Sequence, residues 1–386
     1  MDNIKVLVAD GSPVYRKMFR SAIEEVDKNV SVTCVADGSE AADIIVRKNP
    51  DIVIVDVEIP EKDLFELLKL VMADAPDTFV LVTARPSSTS AKVFMEALSA
   101  GASDSLTKPI YDSYNDNLET IKIKIAEVIE IQKAGVTLNR KEPVAGKPES
   151  GESKTGKAQP GDKAAGDKTS GYKESSVKPN GSTSKTKKTT AADAKPFRPQ
   201  LILIAASTGG PRALETIIPL LRPDLPVPVL IVQHMPPHFI ETLAERLDSK
   251  SKLKVKVADN GEKIHGRTVY LAPGGVHMRL SADNEVYLDD SPPINGVRPA
   301  ADALFESIAE DFAGSRILAI ILTGMGNDSM KGIRKLKDKK NCFCIAQSEK
   351  TCVVYGMPRT IVESDLADKV LDLESIVPEI ESFKYI

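Results

Sequence analysis

The chain has 386 residues, 42% of them hydrophobic and 27% charged. That length suits two or three domains, and the composition is typical of a soluble globular protein. Four cysteines cannot form a disulfide framework, and no apolar run approaches the ~20 residues that cross a bilayer, so we expect neither a disulfide scaffold nor an integral membrane protein. The net charge of −4 gives no indication of nucleic-acid binding, and the N-terminus, which lacks a signal-peptide pattern, predicts a cytoplasmic protein.

The first third of the chain alternates strand-like apolar runs with helix-like stretches. We predict strands at 4–9, 31–36, 52–56, 79–83 and 104–106, and helices at 14–26, 40–48, 64–74, 91–100 and 117–132. Short, nearly continuous apolar strands are typical of a parallel sheet buried on both faces. The alternation therefore predicts a doubly wound α/β sheet, whose ligands bind outside the carboxyl ends of the strands.

Four of these strands are followed or closed by polar side chains. Asp10, Asp56 and Thr83 lie at the ends of the first, third and fourth strands, and Lys108 follows the fifth. Any one of them could simply terminate a strand. Together, two carboxylates that can bind a hard cation, a hydroxyl and an ammonium predict a site for magnesium-assisted transfer of a phosphoryl group to an aspartate.

Residues 1–132 resemble a two-component receiver (response regulator) domain through the segments VLVADGS, IVIVDVEIP, LVTA and LTKPI. The resemblance implies a flavodoxin-like (βα)5 fold with Asp56 as the phosphoacceptor. It also implies that Asp10 lies in the metal pocket and that Thr83 and Lys108 contact the phosphoryl group.

The receiver pattern is incomplete at positions that affect its chemistry. Gly11 stands where receivers carry a second acid, and Ser105 occupies the position of the aromatic switch residue. Since affinity for hard cations depends on the number of charged oxygen ligands, we expect magnesium to be held weakly by Asp10 and Asp56. Two interpretations stay open: a phosphorylated switch, and a pseudo-receiver that only docks on the second domain.

A segment of different composition separates the two halves of the chain. Between residues 141 and 195, the large apolar side chains are Val144, Tyr172 and Val177, and lysines outnumber acids. Such a segment cannot bury enough apolar surface to offset the entropy of ordering it. We predict a disordered linker rich in Lys, Ser and Gly over 133–197.

Three buried strands of the second half lead into residues suited to nucleophilic catalysis. Strands predicted at 201–206, 229–233 and 317–322 precede Ser207, His234 and Asp328 respectively, and helices are predicted at 212–221 and 239–247. Alone, Ser207 or Asp328 could cap a helix. A doubly wound sheet brings such positions to one edge, which predicts a nucleophile, its base and the acid that orients the base.

The chain has four histidines, and their placement narrows the choice of a base. His238 enters a helix, His265 lies in a polar turn, and His277 is expected between two strand-like runs. His234 alone follows a buried strand at the predicted sheet edge.

Residues 198–386 resemble the catalytic domain of the chemotaxis protein-glutamate methylesterase/glutaminase family. The resemblance runs through AASTGGPRALE, VQHMPPHF, YLAPGGVHM, NGVRPAADALF, LTGMGNDSMKG and IAQSEKTCVVYGMP. It implies a doubly wound three-layer α/β/α domain with Ser207 as nucleophile, His234 as base and Asp328 as orienting acid. The Met325 backbone N–H is then the expected oxyanion donor, with Thr208 beside the nucleophile.

The two resemblances together imply a chemotaxis adaptation enzyme. It would hydrolyse glutamate methyl esters and deamidate glutamines on the cytoplasmic helices of methylated chemoreceptors, with no metal needed for the ester chemistry. A chemotaxis histidine kinase would be the phosphodonor for the receiver, which would control access to the active site. The alternative is a non-catalytic signalling adaptor with a pseudo-receiver. A nucleotide-binding turn at STGGP is disfavoured, because the chain lacks a Walker lysine and a G-x-G-x-x-G motif.

Overall fold

The computed structural model describes residues 3–110, 113–133, 197–311, 315–339 and 341–385. The described residues before and after the 134–196 segment belong to one compact unit. Apart from its end residues, the linker predicted over 133–197 lies outside the described residues. Lys133 is the last residue of a helix, and the Phe197 ring packs 5.8 Å from that of Phe343. The domain limits of 1–132, 133–197 and 198–386 stay predictions.

The first part of the chain builds a five-stranded sheet from alternating strands and helices. In chain order these are β1 (Lys5–Ala9), α1 (Pro13–Val26), β2 (Ser31–Val35), α2 (Gly38–Lys48), β3 (Ile52–Asp56), α3 (Leu64–Asp74), β4 (Phe79–Ala84), α4 (Ser88–Ser99), β5 (Asp104–Thr107) and α5 (Tyr114–Lys133). All strand pairs are parallel, and the order is β2-β1-β3-β4-β5. This is the flavodoxin-like order, so the predicted (βα)5 fold is confirmed.

Polar caps set helix starts that the apolar pattern places too late. The helices predicted from residues 40 and 91 begin earlier, at Gly38 and Ser88. The Asp37 carboxylate accepts the N–H of Glu40, and the Ser87 hydroxyl accepts that of Ser90. These first turns are stabilised by N-capping rather than by apolar contacts, so hydrophobic periodicity does not register them.

The second part of the chain builds a larger parallel sheet and one hairpin. Its elements are β6 (Leu201–Ala206), α6 (Gly210–Ile217), β7 (Val229–Gln233), α7 (Pro237–Lys250), β8 (Lys254–Val257), β9 (Thr268–Leu271), β10 (His277–Leu280), β11 (Val286–Asp289), α8 (Ala301–Asp311), β12 (Ile317–Ile321), α9 (Met330–Asp338), β13 (Cys342–Gln347), α10 (Met357–Glu363), β14 (Lys369–Leu371) and α11 (Leu373–Ser382). Strands β10 and β11 pair antiparallel.

The larger sheet has seven strands in the order β14-β13-β12-β6-β7-β9-β8, all parallel. The predicted doubly wound α/β architecture is therefore confirmed. Strand β6 lies in the middle, with β12 on one side and β7 on the other. The strand order therefore reverses at β6, and ligands of such sheets bind at the point of reversal.

Two details of this part differ from expectation. The helix predicted over 212–221 ends at Ile217 and continues as a 3-10 turn at Ile218–Leu220, because Pro219 has no N–H to continue the α-helical ladder. His277 is not between strands but is the first residue of β10. Among the described residues, we find no helix whose length and apolar character would carry it across a membrane.

Candidate active site

Adjacent strands bring the three predicted catalytic positions to one edge of the larger sheet. Ser207 directly follows β6, His234 directly follows β7, and Asp328 lies in the loop after β12. Backbone hydrogen bonds tie these segments together: the Ser207 N–H donates to the Thr323 carbonyl at 3.0 Å, and the His234 N–H donates to that of Ala206 at 3.1 Å. The sheet therefore brings the three predicted catalytic positions to one edge, although they span more than a hundred residues of the sequence.

His234 and Asp328 are in direct contact. His234 Nε2 lies 2.7 Å from Asp328 Oδ2, and the two side chains are 10% and 3% exposed. Asp328 also accepts the N–H groups of Ala301 at 2.6 Å and Asp302 at 3.0 Å, which lie in the first turn of α8. Those N–H groups have no partner within their own helix. Asp328 therefore caps α8, not the following helix α9, whose N-cap is Ser329.

The surroundings of Asp328 keep it ionised. Burial acts to raise the pKa of this carboxyl, but the hydrogen bond and charge of His234, with the two backbone N–H groups, outweigh it and leave the pKa below its ordinary value. Asn295 Nδ2 donates to Asp328 Oδ1 at 3.3 Å and to Asp302 Oδ2 at 2.9 Å. An ionised, fixed carboxylate is suited to orienting an imidazole.

Ser207 sits in a turn that glycines make possible. The Gly210 N–H donates to the Ser207 carbonyl at 2.8 Å, and Gly209 has φ +78°, a value that favours glycine. A Cβ on Gly324 would lie 2.7 Å from Ser207 Cβ, so the loop after β12 approaches the serine too closely for any side chain at that position.

Ser207 and His234 line one cavity of about 430 Å³. Both residues remain partly exposed there, whereas the neighbouring Thr208 is buried. The predicted nucleophile and the predicted base thus share one accessible space.

Gln233 is a site residue that the sequence analysis missed. It is 1% exposed, and its Nε2 donates to the carbonyls of Ser207 at 2.9 Å and His234 at 3.3 Å. One side chain therefore links the turns that carry the predicted nucleophile and base. The sequence did carry a signal for Gln233, because it is a polar residue that closes an otherwise apolar strand directly before a histidine.

Buried His277 is a second missed residue. It is 0% exposed, its Nδ1 lies 3.1 Å from the Ala300 N–H, and its Nε2 lies 3.2 Å from the Pro292 carbonyl. Since Nδ1 accepts and Nε2 donates, the ring is neutral and fixes the chain at the start of α8. His238 and His265 are exposed.

Thr208 faces the first part of the chain. Its Oγ1 lies 2.5 Å from Glu127 Oε1 in α5 and 2.6 Å from Asp104 Oδ2 in β5. Lys124 Nζ joins both acids at 2.8 and 2.5 Å and lies 3.3 Å from Thr208 Oγ1. Burial acts to lower the pKa of Lys124, but the charges of Asp104 and Glu127 raise it above its ordinary value.

Met325 also packs toward the first part of the chain. Its half-buried side chain lies against the hydrophobic cluster that contains Ile121 and Ile125 of α5. The oxyanion role implied for Met325 belongs to its backbone N–H and stays a prediction.

The predicted phosphoryl-transfer residues also meet. Lys108 Nζ lies 2.7 Å from Asp10 Oδ2 and 2.7 Å from Asp56 Oδ2. Thr83 is paired in register with Asp56, and its hydroxyl donates to the Val55 carbonyl at 3.4 Å. Burial and the charge of Asp10 raise the pKa of Asp56 above its ordinary value, against the opposing effect of Lys108.

These residues do not fit a magnesium ion as they stand. Both carboxylates bind Lys108, Gly11 supplies no side chain, and Glu58 is paired with Arg85 at 2.5 Å. Among the described residues, no group of three or more His, Cys, Asp or Glu side chains is arranged to hold a metal. Since hard cations need several oxygen ligands, the magnesium expected at Asp10 and Asp56 stays a prediction that this donor set does not support.

Two protein families match the chain. The response regulator receiver domain matches residues 6–117, and the CheB methylesterase matches residues 202–380. The crystal structure of the Thermotoga maritima CheB methylesterase catalytic domain is 44% identical in sequence, with 47% of this chain and 97% of that chain covered and a TM-score of 0.45.

Two curated relatives extend the similarity over the whole chain. Protein-glutamate methylesterase/protein-glutamine glutaminase 1 of Syntrophomonas wolfei is 36% identical, with 99% of both chains covered. The corresponding protein of Symbiobacterium thermophilum is 35% identical, with 98% of this chain and 96% of the relative covered. The chain therefore belongs to the protein-glutamate methylesterase/protein-glutamine glutaminase family, chemotaxis hydrolases in which a receiver domain precedes a CheB methylesterase domain.

Proposed function

We propose that this protein hydrolyses glutamate methyl esters, and deamidates glutamines, on the cytoplasmic helices of chemoreceptors, with Ser207, His234 and Asp328 as its catalytic triad. The observation that carries this proposal is the 2.7 Å contact between His234 Nε2 and Asp328 Oδ2. It orients the imidazole at the cavity that Ser207 also lines. We place the reaction in the cytoplasm, where these receptor helices lie.

The His234–Asp328 contact sets the direction of proton transfer. An ionised carboxylate can only accept hydrogen bonds, so Nε2 carries the ring proton and Nδ1 keeps its lone pair. Nδ1 then takes the Ser207 proton as the serine oxygen attacks the ester carbonyl. His234 returns that proton to the leaving methoxide, and methanol departs.

Water completes the reaction by the same groups. His234 takes a proton from water, the hydroxide attacks the acyl-serine, and glutamate and free Ser207 are released. For a glutamine substrate, ammonia leaves in place of methanol. The Met325 N–H is our candidate for stabilising the tetrahedral oxyanion, a contribution of ~3–4 kcal/mol in comparable enzymes.

We further propose that the receiver restricts access of the receptor helix and that phosphorylation of Asp56 by a chemotaxis histidine kinase relieves this restriction. The position of three receiver residues supports this proposal. Asp104, Lys124 and Glu127 contact Thr208, the residue directly after Ser207. Lys108, which binds Asp56, directly follows β5, and Asp104 begins that strand. A phosphoryl group on Asp56 would compete with the carboxylates for Lys108. It would thereby shift the equilibrium between conformations of β5.

A non-catalytic adaptor with a pseudo-receiver is the second candidate. The observation in its favour is the cluster of Asp10, Asp56 and Lys108. Gly11 supplies no second acid there, and Lys108 binds both carboxylates. Transfer of labelled phosphoryl groups from a kinase or a small phosphodonor separates the two candidates. Label that is present on the natural protein and absent from Asp56→Asn supports the switch, and equal label on both supports the pseudo-receiver.

Methanol release from methylated receptors tests the catalytic proposal. We expect release by the full chain in the presence of a phosphodonor and none above background from Ser207→Ala. Ser249→Ala, a change on the exposed face of α7, is the matched control and should retain full activity. Methanol release by Ser207→Ala at the natural rate would refute the assignment of the nucleophile.

A further inference from the structure

The cavity of about 430 Å³ lies between the receiver and the predicted nucleophile. Ser105, Lys108 and Ile110 line it from the receiver, and Ser207, His234 and Met235 line it from the methylesterase part of the chain. Ser207 and His234 are each partly exposed in this structure, in which the receiver contacts Thr208. The receiver therefore covers the site without filling the space in front of the serine.

The size of this space discriminates between substrates. An α-helix with its side chains is about 10–12 Å across, so a receptor helix cannot enter while the receiver is in place. Cavities of about 300–1,000 Å³ hold small organic molecules. A small ester therefore fits where a methylated receptor does not.

The lining favours an uncharged ligand. Phe94, Leu106, Pro211 and Met235 supply apolar surface. The two lysines that line the cavity are already paired, each with two carboxylates: Lys108 with Asp10 and Asp56, and Lys124 with Asp104 and Glu127. Each cluster carries a net negative charge, so an anionic ester gains no free cation there.

We infer that the cavity is a binding site for small uncharged carboxylic esters and that the full chain hydrolyses them without release of the receiver. The inference rests on the proposed role of Ser207 and His234. Ser207 Oγ bonds to the ester carbonyl carbon as its proton passes to His234, and the alkoxide leaves as an alcohol with that proton. Water then cleaves the acyl-serine, so that ester and water yield acid and alcohol.

Hydrolysis of p-nitrophenyl acetate by the full chain, with and without a phosphodonor, tests the inference. We expect turnover that Ser207→Ala abolishes and that the phosphodonor changes by less than about twofold. Methanol release from methylated receptors, measured on the same samples, should instead rise severalfold with the phosphodonor. A small-ester rate that rises as much as the receptor rate would overturn the inference, because it would mean that the receiver excludes both substrates.

A change that fills the cavity gives an independent test. Ser105→Trp places a large ring in it, and a misfit in an apolar site typically costs about tenfold or more in kcat/KM. We expect that loss for p-nitrophenyl acetate, mainly as a higher KM. Ser39→Trp, on the exposed start of α2 and outside the cavity, should leave kcat/KM unchanged. Unchanged kinetics of a folded Ser105→Trp protein would show that the small ester binds elsewhere.

The two assays separate failure of this inference from failure of the proposed function. Methanol release without small-ester hydrolysis overturns the cavity site and leaves the methylesterase proposal intact. Loss of both activities overturns both. Small-ester hydrolysis that survives in Ser207→Ala also overturns the inference, because the reaction would then use another nucleophile.

Discussion

Glu127 Oε1 lies 2.5 Å from Thr208 Oγ1, although 81 residues separate the two in the chain. Glu127 belongs to the last helix of the receiver, and Thr208 follows the predicted nucleophile. Lys124 and Asp104 complete a polar cluster around this hydroxyl. A hydrogen bond to a charged group contributes about 1.5–3 kcal/mol, so this cluster stabilises the contact between the receiver and the turn that carries Ser207.

Removal of the Glu127 carboxylate should therefore raise the basal rate on receptors. We expect Glu127→Ala, without a phosphodonor, to release methanol roughly ten to a hundred times faster than the natural protein, the equivalent of one such hydrogen bond. Glu130→Ala on the exposed side of the same helix is the control and should have no effect. A basal rate that stays the same or falls in Glu127→Ala would contradict the restraining role of this contact.

Loss of the charge on Asp328 should reduce catalysis strongly. Asp328→Asn keeps the shape of the side chain but can no longer hold His234 in the tautomer that leaves Nδ1 free, and the corresponding change in a Ser-His-Asp hydrolase costs roughly 10,000-fold in kcat. We expect a loss of roughly 1,000- to 10,000-fold in kcat with phosphodonor present. Asp338→Asn, at the exposed end of α9, serves as control. A loss below about tenfold would remove Asp328 from the triad.

A second acid at position 11 should create a magnesium site. A Cβ on Gly11 meets nothing closer than Pro60 Cδ at 3.4 Å, so Gly11→Asp fits without displacing its neighbours. We expect Gly11→Asp to bind magnesium about tenfold or more tightly than the natural protein, by calorimetric titration, because affinity follows the number of charged oxygen ligands. The Gly11→Asn protein, in which the new side chain is neutral, should gain less magnesium affinity than Gly11→Asp. Equal binding by all three proteins would mean that the missing acid does not limit the site.

Asp289 should make a contribution to the stability of the fold that depends on pH. The Ser291 N–H, Arg279 and the Ser291 hydroxyl lower its pKa to about 2, from about 3.9 in an unfolded chain. Because the folded pKa is the lower one, the stabilisation is fully present above pH ~4 and is lost as the pH falls toward 2. In urea unfolding, Asp289→Asn should be less stable than the natural protein at pH 7, and this difference should shrink below pH ~4. The exposed Asp283→Asn is the control, and a difference that persists unchanged at pH 2 would contradict the assignment.

The sequence predicts the fold and the strand-end residues because both follow from local patterns. Runs such as 52–55 and 317–321 are apolar throughout, and each is buried at every position. Polar residues that close such runs must lie at the carboxyl edge of a parallel sheet. Asp10, Asp56 and Lys108 therefore meet, as do His234 and Asp328.

The partners that come from distant segments could not be predicted in the same way. From the sequence, Asp328 could cap the helix that follows it in the chain, α9. Its carboxylate instead caps α8 through the N–H groups of Ala301 and Asp302. Asn295 reaches Asp328 through a side-chain hydrogen bond. None of these contacts has a signature in sequence spacing, because each depends on how separate loops pack after the sheet has formed.

Methanol release from methylated receptors, with and without a phosphodonor, tests the central claim most directly. The full chain should release methanol slowly alone and severalfold faster with the phosphodonor, and Ser207→Ala should release none above background in either condition. Release that is equal with and without the phosphodonor would contradict control by the receiver. Release by Ser207→Ala at the natural rate would contradict catalysis by Ser207, His234 and Asp328.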